Sequence, residues 1–306
     1  MPSRTAGRAI SKLAVAFVSL LVSTTAFGQE HKGLRVFISA DMEGVAGAVN
    51  AEQLGPSGMD YPLFRKLLTA EVNAAIEGAL AEGADKITVA DSHGEELSIL
   101  PDELNPKAHL VRSGPRPLGM MEGIDQGFDA AILIGFHASI NTPQAVRAHT
   151  LSSARYFDVR LNGKHASEAM LCAAIAGSFG VPVVLVSGDD KAIDEAHKTI
   201  DANIEGVVVK RALGYESAES VSPQVADGLI KDGTEKALAR LGSFHPYVVT
   251  NPVTIEITFK SMINAEILAF LPSVTREDGA TIRFTGKDIL EVERFMQVVG
   301  SYDSNK

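Results

Sequence analysis

Intrachain disulfide bonding is closed to this chain. Its 306 residues include a single cysteine, Cys172, so stability must come from an ordinary apolar core. There is no tryptophan, and no function is read into that. Clusters of lysine and arginine are also missing. With 28 basic residues against 38 acidic ones the net charge is −10, which argues against nucleic acid or an anionic membrane surface as partner. No apolar run approaches the roughly 20 residues that span a bilayer. Glycine-rich phosphate loops do not occur, and Ser39 and Ser187 lack the nucleophile-elbow context of a serine hydrolase. No repeat, coiled coil or low-complexity segment is present.

The first residues carry a different signal. Arg4, Arg8 and Lys12 make a basic start, Leu13 to Val22 is an uncharged apolar run, and Ala26-Phe27-Gly28 offers small residues at the two positions a signal peptidase reads. Residues 1–28 are therefore expected to be a secretory signal, and the chain to be periplasmic or secreted with no stable membrane insertion after cleavage. Removing 28 of the 306 residues leaves 278, enough for a sizeable core, and losing three cations takes the net charge from −10 to −13.

Beyond the signal, short β-branched runs alternate with longer helical stretches. Strands are expected at 35–40, 86–90, 130–135 and 181–187. The 130–135 and 181–187 runs are apolar throughout, as befits burial on both faces. Helices are expected at 61–82, 167–179 and 190–200. Tyr156 to Leu161 runs into Asn162-Gly163, a hairpin turn signal. Strand, helix, strand in series implies a parallel sheet with right-handed crossovers. Later segments, strands at 207–210, 253–259 and 281–285 with helices at 223–241, 265–271 and 288–299, alternate more openly toward solvent. The fold class is thus α/β: a parallel-sheet three-layer domain over 30–200, followed by a smaller α+β domain over 201–303.

In an open parallel sheet, ligands bind beyond the carboxyl ends of the strands. The first strand ends in Asp41-Met42-Glu43-Gly44, the second in Asp91-Ser92-His93 and the third in Phe136-His137-Ala138. Three strands thus deliver carboxylate or imidazole to one sheet edge. Asp41 and Glu43, two apart on extended chain, point to one face, and two adjacent carboxylates repel unless a cation or a shared proton relieves them. Imidazole with carboxylate suits zinc, and a surplus of ligands suggests a metal pair with one bridging carboxylate. Asp189-Asp190 also follows a strand but reads as a helix N-cap. His31, His109, His165, His197 and His245 have no assigned role.

These residues resemble the motifs of the DppA-type D-aminopeptidases. The resemblance rests on Ser39-Ala40-Asp41-Met42-Glu43-Gly44, Asp91-Ser92-His93, Gly135-Phe136-His137-Ala138, Thr142-Pro143, Ala148-His149-Thr150, Leu161-Asn162-Gly163, Ser167-Glu168 and Val186-Ser187-Gly188-Asp189-Asp190. It continues through Ala265-Glu266 and Phe270-Leu271-Pro272. It implies two zinc ions per chain held by Asp41, Glu43, His93, His137 and Glu168, with Asp41 as the bridge. It also implies a catalytic role for His149, as nucleophile or base, in a loop one residue longer than the family's. The activity implied is cleavage of short peptides with an amino-terminal D-residue, D-Ala dipeptides being the usual suggestion, by a homo-oligomer. Two alternatives stand beside it: a metallohydrolase of other small amides or esters on the same scaffold, and a periplasmic binding protein.

Overall fold

The computed structural model describes residues 1–2 and 33–302. Residues 3–28 of the expected signal segment lie outside the described residues. In chain order the elements are β1 (Leu34–Ala40), α1 (Tyr61–Ala81), β2 (Ala84–Asp91), β3 (Ala108–Val111), β4 (Ala130–Phe136), β5 (Tyr156–Leu161), β6 (Lys164–His165), α2 (Glu168–Ser178), β7 (Val183–Asp189), α3 (Asp190–Thr199), β8 (Glu205–Gly214), β9 (Ser217–Ser220), α4 (Pro223–Ala239), β10 (Val253–Phe259), α5 (Met262–Leu268), β11 (Val274–Arg276), β12 (Thr281–Gly286) and α6 (Ile289–Ser301). Two sheets result. The first has seven strands in the order β3-β2-β1-β4-β7-β8-β9, all parallel except the β8–β9 pair. The second has five strands in the order β11-β12-β10-β5-β6 and is antiparallel.

The period-two alternation of the central strands builds both cores. Val36 and Ile38 of β1, with Ile132 and Ile134 of β4, pack against Leu68, Val72 and Ile76 of α1 and Ile230 of α4. Phe37 and Leu133 face the other way, into a second core. There the Ala-rich α2 meets Ile255 and Ile257 of β10 and Phe295 of α6. Nearly every residue of α2 is buried, so this helix is apolar around its whole circumference rather than striped.

The helix starts follow local chemistry. Ser167 accepts from Met170 N–H at the start of α2, Asp189 from Lys191 and Ala192 N–H at α3, and Asp288 from Glu291 N–H at α6. The Asn162-Gly163 hairpin forms with φ of 48° and 78°, the positive pair that a two-residue turn requires.

The two sheets do not divide the chain at residue 200. β5 and β6 precede that point and belong to the second sheet; β8 and β9 follow it and belong to the first. The described residues 33–302 fall in one compact unit. α5 starts at Met262, earlier than the expected 265, leaving Phe270 and Leu271 in the turn beyond it.

Candidate metal centre

The site is built where β1, β2 and β4 end. The Asp41 N–H donates to Ile134 carbonyl (2.8 Å) and Gly44 N–H to Gly135 carbonyl (2.7 Å), so the loop after β1 lies flat across the end of β4. Glycine makes that approach possible. A Cβ on Gly44 would sit 2.2 Å from the Phe136 carbonyl oxygen, and one on Gly135, whose φ is 71°, would sit 2.1 Å from the Asp41 carbonyl oxygen. From β2 the chain turns at Ser92, whose N–H donates to Ala40 carbonyl. The buried Asp91 carboxylate accepts Ile99 N–H (2.7 Å) and so braces the loop that carries His93. His137 follows β4 directly. Glu168 opens α2, where Leu151 N–H donates to its Oε1 (2.6 Å).

These elements bring all six expected residues into one buried cluster of two groups. Asp41, Glu43 and His93 form one; His137, His149 and Glu168 form the other. His93 Nδ1 lies 3.0 Å from Asp41 Oδ1 and 2.9 Å from Glu43 Oε2. His137 Nε2 lies 3.4 Å from Asp41 Oδ2 and 3.3 Å from Glu168 Oε1. The Asp41 carboxylate therefore turns one oxygen to each group. His149 Nε2 is 3.7 Å from Glu168 Oε1, and its ring stacks on that of His137 with centroids 4.1 Å apart.

Each imidazole is anchored by its other nitrogen. His93 Nε2–H donates to Leu54 carbonyl (2.6 Å), His137 Nδ1–H to Ala138 carbonyl (3.0 Å) and His149 Nδ1–H to Arg147 carbonyl (2.7 Å). A carbonyl only accepts, so in the neutral ring the nitrogen facing the cluster presents a lone pair. That lone pair points at carboxylate oxygens. A cation, or a proton, has to lie between them. Asp41 Oδ2, Glu43 Oε2 and His137 Nε2 are buried without a hydrogen-bond partner; His93 Nδ1 approaches Glu43 Oε2 closely, but not in hydrogen-bonding geometry. The donor set of imidazole nitrogen and carboxylate oxygen fits zinc.

The electrostatics carry the same strain. Burial, reinforced by Glu43, pushes the Asp41 carboxyl up to about 8. Burial also opposes charge on Glu43, but His93 outweighs it and holds that carboxyl well below its usual range. Burial disfavours the charged rings, yet Glu43 lifts His93 well above its ordinary value and Glu168 lifts His137 to about 10. His149 alone among the three is held low, by burial and then by the His137 charge.

A cleft of about 480 Å³ lined by Pro143, Ala148, His149, Tyr215 and Lys260 opens beside His149. Another of about 380 Å³ reaches Glu168 past Gly94, Leu151 and Met296. A larger cavity of about 670 Å³ around Ser139, Lys191 and Glu195 includes none of the six residues, whereas the two smaller clefts meet the converging ligands.

The sequence model of the D-aminopeptidase family matches residues 34–298. The chain belongs to this family. A D-aminopeptidase of Bacillus subtilis (strain 168) is 29% identical over 267 residues, covering 87% of this chain and 96% of the relative. Among solved structures, that of the Zn-dependent D-aminopeptidase DppA from Bacillus subtilis, a self-compartmentalizing protease, superposes with a TM-score of 0.84. It is 28% identical, over 89% of this chain and 99% of that one.

Sequence reasoning passed over several residues that serve the cluster in this D-aminopeptidase fold. Glu168 is legible only through the family resemblance, because an acid in a helix first turn is ordinary. Lys210, buried in β8, donates to the carbonyls of Glu43 (2.5 Å), Val45 (3.0 Å) and Ala48 (2.7 Å). Glu71 of α1 accepts Ala46 N–H (2.8 Å). Asp189 caps α3 as expected and also accepts Val146 N–H (3.1 Å), tying down the loop that leads to His149.

Proposed function

We propose that this chain is an exported aminopeptidase that works with two zinc ions per chain and cleaves short peptides bearing an amino-terminal D-residue, of the D-Ala dipeptide type, as a homo-oligomer. One observation carries the chemistry: a single buried carboxylate, Asp41, faces two groups of metal-type ligands whose lone pairs converge. Membership of the D-aminopeptidase family, and the Zn-dependent relative, support the choice of metal and substrate. A binding protein has no need of such a centre, and that alternative has no support from the family.

On this reading Asp41, Glu43, His93, His137 and Glu168 hold the pair. When bound, zinc supplies Lewis-acid polarisation of the scissile carbonyl and neutralises charge that develops on it. The protein's own residues do the rest. The carbonyls of Leu54 and Ala138 fix the tautomers of His93 and His137. Burial, and then the His137 charge, disfavour the charged ring of His149, whose acceptor Nε2 is turned inward, as a proton-accepting group requires. Substrate reaches it from the cleft lined by Tyr215 and Lys260.

The oligomer is supported by the self-compartmentalizing relative and by apolar side chains left bare on α5 and the turn after it. Met262 is 60% and Phe270 76% exposed, with Ile263 and Leu271 beside them. Export rests on the basic and apolar pattern of residues 1–28.

The test is turnover of a panel of D- and L-aminoacyl dipeptides by zinc-loaded and chelator-treated protein. Cleavage confined to substrates with an amino-terminal D-residue, and lost with the metal, is expected. Equal rates on L-dipeptides, or rates indifferent to chelator, contradict it. Activity only on esters or other amides points to the alternative metallohydrolase.

A further inference from the structure

The loop carrying Asp41 and Glu43 is fastened from three sides. β4 holds it through the Asp41 and Gly44 amides. α1 holds it through Glu71, which accepts Ala46 N–H. β8 and β9 hold it through Lys210 and through Ser220, whose hydroxyl oxygen accepts Gly47 N–H (2.9 Å). Among these fastenings Lys210 alone grips Glu43 itself. Its ammonium spends all three donors on the carbonyls of Glu43, Val45 and Ala48, and the side chain is only 2% exposed.

A buried ammonium is costly unless every donor is satisfied and negative groups are near. Both conditions are met here, with Asp189 and Glu43 supplying the field. β8 could have placed an apolar side chain at this point, as it does with Val209. A plain loop anchor would not need to end on the carbonyl of a ligand. We propose that Lys210 is a positioning residue for one of the two metal groups: it sets the Glu43 carboxylate against His93, and has no such hold on the group of His137, His149 and Glu168.

The asymmetry follows from where the two groups are held. His137 is fixed by β4 and the Ala138 carbonyl, Glu168 by the start of α2 and Leu151 N–H, and His149 by the Arg147 carbonyl. None of these contacts passes through Lys210. Replacing Lys210 by methionine keeps an unbranched chain but strips the donors from three buried carbonyls, and such groups seek partners by moving. The backbone at Glu43 then loses its hold from β8 and can shift within the fastenings that remain, while the Asp41 N–H keeps its hydrogen bond to the Ile134 carbonyl.

The inference rests on the two-metal reading and is tested by calorimetric zinc titration of chelator-treated, full-length Lys210→Met beside wild type, with circular dichroism to confirm folding. Wild type is expected to take up two ions. In Lys210→Met the affinity for one ion should fall at least about tenfold, and the other should stay within about twofold of wild type. A folded variant that binds both ions as wild type does, or loses both equally, overturns the proposal. Should Lys210→Met fail to fold, Lys210→Gln, which keeps an amide donor, is read in the same way. A smaller loss confined to one ion supports the positioning role, whereas unfolding, or equal effects on both ions, makes Lys210 a folding element and overturns it. A wild-type chain that takes up no ion counts against the metal reading itself, and this inference falls with it.

Discussion

At the scale of single residues, four of the expected ligands could be read from the sequence because strand ends in a parallel sheet converge. Asp41, Glu43, His93 and His137 each follow a recognisable strand. Glu168 could not be read that way, since its position relative to His137 depends on how α2 returns to the sheet. Lys210 was invisible for a further reason. A lone lysine in an alternating strand ordinarily faces solvent, and only the loop laid over β4 gives this one three carbonyls to meet. His149 is within reach of the second ligand group, so its role is open to direct test. If it moves protons, His149→Ala keeps both ions while kcat falls roughly 10²–10⁴-fold, measured as metal content and turnover on one preparation. Full metal with a near-normal rate rejects the catalytic role, and loss of metal makes it a ligand.

The same cluster fixes a pH dependence. Asp41 and Glu71, both raised to about 8 chiefly by burial, and His137, raised to about 10, hold protons in the folded chain that the unfolded chain has released by pH 8. The folded state therefore binds more protons between pH 6.5 and 8, and stability falls as pH rises through that window. Lys210, lowered to about 8 by burial, begins to oppose this as the pH nears 8, so the fall is steepest in the lower part of the window. The melting temperature of chelator-treated protein should drop from pH 6.5 to pH 8. A flat or rising profile means that the cluster does not hold these protons.

Among the secondary-structure elements, long apolar or strongly periodic segments were legible. β10 and the fully buried β4 fall close to the residues expected for them, as does α1. The short edge strands were not. β3 and β9 have four residues each, and β9 is Ser-Ala-Glu-Ser, a sequence whose pairing is decided by its neighbour β8 rather than by its own pattern. β8 extends past the expected 210 to Gly214 for the same reason. The contact between the loop after β1 and the end of β4 gives a prediction at this level. Gly135→Ala forces a side chain into positive φ and onto the Asp41 carbonyl. Strain of this kind costs about 1–3 kcal/mol, and relief of the clash should displace Asp41. Chemical denaturation and metal analysis of the variant should both register the change. A Gly135→Ala protein with wild-type stability and full metal would mean that the loop after β1 does not lie so close to β4.

For the whole molecule, the sequence conveyed an α/β fold with a parallel sheet followed by more open alternation. It did not convey that the chain leaves the first sheet for β5 and β6 before returning to it, because strand partnership across some ninety residues (β5 with β10) has no local signature. The exposed apolar residues of α5 and its following turn belong to this scale too. If they seat a second copy of the chain, Phe270→Glu should lower the oligomeric mass seen by light scattering while metal content stays unchanged. An unaltered mass places the interface elsewhere.

Whether one carboxylate joins two metal sites is decided by elemental analysis of purified wild type and Asp41→Ala, side by side. Close to two zinc-type ions per chain are expected in the wild type and neither ion in the variant. A wild type without bound transition metal, or an Asp41→Ala protein that retains both ions, would contradict this.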